Sequence, residues 1–183
     1  FYSNEAEIEM IETCLIENRL EQGSFLQIEK SSLSLLRVFF TLGALDSLNI
    51  YTQQTFVIKG RSSDLFLTLC AFELGGALGV INCQNCNNIE ASYSTIKNGN
   101  GVLGGAISLK SSKFLGEGLI IANNKASQGA GIYATDSMIS VKSCGFLNNI
   151  AEKEGSDVIS MVLERNYSLT FLAELCFFLN VSR

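Results

Sequence analysis

The sequence predicts an all-β fold: a right-handed parallel β-helix, a solenoid of about seven coils that takes in residues 1–183 as a single domain. Two recurring motifs and one pattern of alternation lead to it. Leu103-Gly104-Gly105-Ala106-Ile107 repeats Leu74-Gly75-Gly76-Ala77-Leu78, and Gly129-Ala130-Gly131-Ile132 is a permuted third copy. Ile96-Lys97-Asn98, Ile121-Ala122-Asn123-Asn124 and Phe146-Leu147-Asn148-Asn149 form a second series, whose leading apolar residues stand 25 apart. Between the motifs lie short runs such as Ala106-Ile107-Ser108-Leu109 and Met138-Ile139-Ser140-Val141, with the two-residue period of a strand.

Extending the second series outward places one apolar anchor in each coil, at Ile16, Phe40, Phe72, Ile96, Ile121, Phe146 and Phe178, with gaps of 24, 32, 24, 25, 25 and 32 residues. In the first coil, Ile8, Met10 and Ile16 fall in the order of the Cys144 coil, so a strand is preferred to the helix that Asn4 and Glu7 would cap. Phe40 marks the weakest copy, and the two longer gaps are read as eight-residue insertions. Helix-pair repeats exceed 30 residues, and the central coils lack the regular leucines of a leucine-rich repeat. Three short strands with turns fill about 25 residues, and seven such coils at the inter-strand spacing make a rod about 34 Å long.

Stacking makes like residues fall on like. Cys14-Leu15-Ile16-Glu17-Asn18, Cys70-Ala71-Phe72-Glu73-Leu74, Cys144-Gly145-Phe146-Leu147-Asn148 and Cys176-Phe177-Phe178-Leu179-Asn180 put Cys14, Cys70, Cys144 and Cys176 at one interior position. There they are expected to be reduced and slow to react. Asn18, Asn98, Asn123, Asn148 and Asn180 share another position, where Asn tolerates left-handed backbone and can bond to the Asn above it. That structural role is preferred to ligand binding. Gly75, Gly76, Gly104, Gly105, Gly129 and Gly131 are the expected turn glycines.

The alternation of the Gly-Gly-Ala-Ile/Leu segment with Phe-x-x-Asn, complete at Gly104-Gly105-Ala106-Ile107 and Phe146-Leu147-Asn148-Asn149, resembles the repeat of the polymorphic outer-membrane proteins of chlamydiae. Similar repeats occur in large surface proteins of some protists. The likeness covers Leu74 to Asp157, with Gly129-Ala130-Gly131-Ile132 and Ile121-Ala122-Asn123-Asn124 as departures and degenerate copies on both sides. It implies a pectin-lyase-like β-helix, commonly a cell-surface passenger or adhesin, and hence an extracellular location.

Composition narrows the functional classes. Hydrophobic residues make up 47% of the chain, enough for a continuous core, and the net charge is −5. The imbalance lies between Phe1 and Lys30, and no basic cluster of the kind nucleic-acid binding requires is present. The runs Leu33–Leu42 and Phe171–Val181 are interrupted by Arg37 and Glu174 and are too short to span a membrane. No signal peptide is legible at the N-terminus. The chain opens with Phe1 rather than Met and is expected to be a segment of a larger repetitive protein.

Chemistry-bearing residues are few. Glycan-cleaving members of the fold group carboxylates on one outer face, whereas Asp46, Asp64, Asp136 and Asp157 fall in different coils. With no His in the sequence, a His-based triad or His-ligated metal is impossible within the chain. No cofactor is implied. Cys83-Gln84-Asn85-Cys86 reads first as ordinary turn and strand residues, then as a local disulfide or surface thiol, and last as half of a metal site that lacks a second pair. Gly99, Gly101, Gly104 and Gly105 are not followed by the Lys and Ser/Thr of a phosphate loop. Lys97, Lys110, Lys113, Lys125 and Lys142 are read as solvated charges ahead of an anion-binding stripe. Asn166-Tyr167-Ser168 and Asn180-Val181-Ser182 are chance-level glycosylation sequons.

The expected function is a structural or adhesive module that presents a binding face, with a glycan among the candidate ligands. The alternative is a polysaccharide lyase or hydrolase with a degenerate or remote site. The expected partners are further repeats or another protein chain at the solenoid ends, because an end coil leaves backbone and core uncovered.

Overall fold

The computed structural model describes residues 1–17, 25–42, 56–74, 79–161 and 170–179. Among these the chain is all-β without helix, and its parallel sheets stack as a β-solenoid. Three faces carry seven strands each. The first is built from Tyr2–Asn4, Leu26–Glu29, Phe56–Arg61, Gly79–Gln84, Ile107–Lys110, Ile132–Thr135 and Val158–Met161. The second holds Glu7–Ile11, Ser32–Leu36, Asp64–Thr68, Asn88–Ser92, Lys113–Glu117, Met138–Lys142 and Thr170–Glu174. The third holds Cys14–Glu17, Phe39–Leu42, Ala71–Glu73, Thr95–Lys97, Ile120–Ala122, Gly145–Leu147 and Phe177–Leu179. Each face thus has seven rungs, and the described residues amount to about five turns against the seven expected, the two long gaps between anchors being only partly described.

A fourth ladder, Asn100–Leu103, Lys125–Gln128 and Ile150–Glu154, was not expected from three strands per coil. It occupies the stretch between the Asn motif and the glycine motif, where polar residues conceal the alternation. At the N-terminus, Glu7–Ile11 is a strand, as the repeat alignment requires.

Each face turns one set of side chains inward, and the parallel register stacks them. On the first face Leu26, Ile58, Ile81, Ile107, Ile132 and Val158 form one such column. On the second, Ile8, Leu33, Leu65, Ile89, Phe114, Ile139 and Phe171 do the same. On the third the column is Leu15, Phe40, Phe72, Ile96, Ile121, Phe146 and Phe178. Six of its members are the sequence anchors. The first is corrected: Leu15, not Ile16, pairs with Phe40, and Ile16 pairs with Thr41. Phe146 and Phe178 stack with ring centroids 4.9 Å apart, while Phe40 and Phe72 are tilted at 6.3 Å. Phe40, Phe72 and Phe146 are buried. Phe178 is 47% exposed, because no described rung covers it.

The corners repeat as strictly as the faces. Between the first and second faces Glu5, Lys30, Ser62, Asn85, Ser111 and Asp136 all take positive φ. Between the second and third, Glu12, Arg37, Leu69, Tyr93, Gly118, Ser143 and Leu175 do so. One left-handed residue reverses the chain within a single step, so two strands can meet at a sharp corner. Stacked charges use these positions, with Lys30 paired to Glu5 at 3.4 Å and Arg37 paired to Glu12. All four side chains are exposed, so these pairs contribute little.

Candidate functional site

Immediately after the first corner, Ser31, Ser63, Cys86, Ser112 and Ser137 form a buried polar column. Each serine hydroxyl donates to the carbonyl two residues earlier, at 2.7–2.8 Å. Each also accepts a backbone N–H from the coil before: Ala6 to Ser31, Ser31 to Ser63, Cys86 to Ser112 and Ser112 to Ser137, at 3.1–3.2 Å. This satisfies backbone groups that the corner takes out of the ladder. Cys86 holds the position with a longer contact, its Sγ lying 3.7 Å from the Gln84 carbonyl.

Cys83 sits three residues earlier on the first face, in register with Gly60 and Leu109. Both thiols are buried, and their sulfurs face the same recess beside Gly60. The neighbouring Cys83 thiol pulls the Cys86 thiol below its ordinary range, helped by a backbone hydrogen bond at Ser63. The proximity of Cys86, followed by burial, pushes Cys83 well up. Gly60 makes room for the pair: a Cβ there would stand 2.9 Å from the Cys83 sulfur and 3.4 Å from that of Cys86. Among the described residues no third Cys, Asp or Glu converges with them into a metal-holding group.

The corner between the second and third faces has its own column at Thr13, Val38, Cys70, Ser94, Leu119, Cys144 and Cys176, each two residues before the inward anchor of its coil. The Cys70, Cys144 and Cys176 thiols donate to the carbonyls of Thr68, Lys142 and Glu174 at 3.2–3.4 Å. Backbone N–H groups reach back along the column, Leu119 to the Cys144 sulfur and Cys144 to that of Cys176, both at 3.4 Å. Cys14 is not part of it. The one-residue shift in the first coil moves it outward, and it is exposed. Cys70 and Cys144 are buried and Cys176 is half-buried.

On the outer side of this corner, large apolar residues stand in left-handed backbone and in solvent. Leu69 (φ 55°) and Tyr93 (φ 48°) occupy successive coils and are 49% and 60% exposed. The next position is Gly118, across which the Tyr93 ring lies: its Cδ1 would be 2.7 Å from a Cβ there. Ile120 continues the ridge onto the third face and is 44% exposed. A branched or aromatic side chain in this conformation costs about 1–2 kcal/mol, and partial exposure returns only part of what burial would give. Packing therefore accounts for only part of Leu69 and Tyr93, and the turn disfavours both. The sequence carries their signal in an apolar residue directly before Cys70 or Ser94, a position outside both repeat motifs.

The asparagine positions divide in two. Asn98, Asn123 and Asn148 take positive φ. The buried hydrogen-bonded ladder is one residue further on, at Gly99, Asn124 and Asn149. Gly99 N–H donates to Asn124 Oδ1 at 2.8 Å, and Asn124 Nδ2 donates to the Ile96 carbonyl at 3.3 Å. Asn149 Nδ2 donates to the Ile121 carbonyl at 2.9 Å and to Asp157 Oδ1 at 3.0 Å. Asn18 and Asn180 lie outside the described residues, as do both sequons, Gly75 and Gly76.

Gly104 and Gly129, with Gly155 after them, stack in left-handed conformation at the corner leading to the first face. Gly105 and Gly131 are needed for close approach instead, since a Cβ on Gly105 would meet the Ala130 and Lys125 carbonyls at 2.5 Å. The five lysines form no stripe. Lys97 is on the third face and bonds Glu73 at 3.3 Å, Lys110 is on the first, Lys113 and Lys142 are on the second, and Lys125 is in the fourth ladder. Among the described residues no helix is long and apolar enough to cross a membrane. No protein-family model, curated protein or solved structure matches the chain.

Proposed function

We propose that the chain is a structural or adhesive module of a cell-surface or extracellular protein, a pectin-lyase-like β-helix of the polymorphic outer-membrane repeat type. Its lateral ridge is the binding face. The observation that carries this reading is the pair Leu69 and Tyr93, exposed apolar side chains held in costly left-handed backbone on successive coils. A scaffold with seven strands on each face fixes such side chains at the inter-coil spacing, so a partner meets a pre-organised row and loses little freedom. An open aromatic ring beside aliphatic side chains suits the apolar face of a sugar ring or the core of a protein interface. The end coils are the second contact region in this proposal, where further repeats or another chain continue the columns ending at Phe171 and Phe178.

The test is a glycan array and a panel of surface proteins probed with the wild type and a Leu69→Asn/Tyr93→Asn variant, alongside a lyase and hydrolase screen. Binding lost in the variant, whose fold is checked by circular dichroism, supports the ridge. Equal binding by both proteins overturns it. Turnover of a polysaccharide replaces the adhesive reading with an enzymatic one.

A further inference from the structure

Cys83 and Cys86 depart from the solenoid's own pattern in the same coil. At the Cys86 position the coils on either side have Ser31, Ser63, Ser112 and Ser137, whose hydroxyls reach the preceding carbonyl at 2.7–2.8 Å, while the Cys86 sulfur stands off at 3.7 Å. Serine therefore serves the corner better, and the turn does not explain the sulfur. At the Cys83 position the neighbouring coils have Gly60 and Leu109. Glycine in the coil before leaves a recess that both sulfurs enter. Between the two cysteines, Asn85 at φ 56° turns the chain so that both side chains point inward, with 1% and 0% of their surfaces exposed.

We propose that Cys83 and Cys86 are a disulfide-forming pair, closed by exchange with a small-molecule disulfide such as glutathione disulfide. Both sulfurs face the recess left by Gly60, within 2.9 and 3.4 Å of where a Cβ on that glycine would stand, so closure to an S–S bond of about 2.05 Å joins two groups already in one pocket. Cys86 is the attacking sulfur, since its thiol is the one held below the ordinary range. Its thiolate attacks one sulfur of glutathione disulfide and expels one glutathione thiolate. Cys83 then gives up its proton to solvent and attacks the Cys86 sulfur of the mixed disulfide, expelling the second. Two protein thiols are oxidised to one disulfide, and one glutathione disulfide is reduced to two glutathione thiols. Burial makes the first step wait on local opening of the corner, so exchange in the folded protein is slow.

The protein is equilibrated in an oxidising glutathione buffer in two arms, one kept folded throughout and one refolded in the same buffer so that access is not limiting. Both are acid-quenched, alkylated in denaturant and digested with trypsin, which releases residues 62–97 with Cys70, Cys83 and Cys86 together. The expected result in the refolded arm, and more slowly in the folded arm, is a peptide two hydrogens lighter, with only Cys70 alkylated. Cys86→Ser, which restores the serine of the neighbouring coils and keeps the fold, abolishes the bridge, and so does Cys83→Ala. Alkylation of all three cysteines in both arms overturns the proposal. A bridge that includes Cys70, or one that survives in Cys86→Ser, overturns it equally.

Discussion

Asn149 Oδ1 accepts two hydrogen bonds from Asn124, one from the backbone N–H at 3.1 Å and one from the side-chain amide at 3.0 Å. Both side chains are buried, so each bond replaces one that water would otherwise make. Asn149→Ala leaves two donors of Asn124 and the Ile121 carbonyl without this partner. The expected loss is about 3 kcal/mol, read from urea unfolding. Asn149→Asp should be no better, since it removes the donor to Ile121 and brings a second carboxylate against Asp157.

The aromatic column gives a test by position. Phe72 is fully buried between Phe40 and Ile96, whereas Phe178 at the last described rung is 47% exposed. Phe72→Ala is expected to cost about 3–5 kcal/mol. Phe178→Ala should cost less than half as much, and similar unfolding midpoints for the two variants would contradict the stacking order.

At the apolar ridge, stability and binding should separate. Leu69→Asn places a residue that tolerates left-handed backbone at φ 55° and gives up only the buried half of a side chain that is 49% exposed. It is expected to be neutral or to stabilise by up to about 1 kcal/mol. The same substitution at Leu67, inward on the preceding strand and 1% exposed, should cost more than about 3 kcal/mol. Thermal melts of the two variants decide the matter.

The thiols predict an alkaline limit. Burial raises the Cys70 and Cys144 thiols above the 9.0 of an exposed cysteine, while the unfolded chain keeps the ordinary value. Above that value the unfolded state has released protons that the folded state still holds, so stability declines as pH rises toward the folded values. Below it the contribution is complete. Replacing both residues with Val, which the column already uses at Val38, should flatten the decline in urea midpoints above pH 9.0. Labelling at neutral pH should modify Cys14 first, then Cys176, with Cys70 and Cys144 last.

Much of this architecture was legible because stacking forces sequence to repeat where side chains are buried. Phe40 through Phe178 could be aligned since an interior column tolerates only apolar residues of similar size. The first coil misled for a physical reason: Cys14-Leu15-Ile16-Glu17-Asn18 reproduces the spelling of the Cys144 motif one residue out of phase, and two adjacent aliphatic residues leave the inward one undecided. The Asn pairs carried a similar ambiguity. In Asn123-Asn124 and Asn148-Asn149 the first residue takes the left-handed turn and the second the buried ladder, and only the backbone distinguishes them. The fourth ladder stayed hidden because Lys125–Gln128 and Ile150–Glu154 are largely polar. Leu69 and Tyr93 are not legible in the sequence because exposed apolar residues at a corner repeat no interior pattern.

The parallel register also sets how the rod would carry a load. Strands run across the stack, so the hydrogen bonds between neighbouring coils point along the direction in which the first and last rungs are separated. Tension between those rungs pulls each bond head-on and loads the coils in series, so that the end coil yields first and its neighbour follows. Each coil freed in this way adds about 25 residues at about 3.4 Å apiece, or roughly 85 Å of extended chain. Stretched by a single-molecule force probe, the protein would lengthen in steps of about that size, longer at the two 32-residue gaps, a shock absorber whose increments are set by the repeat length.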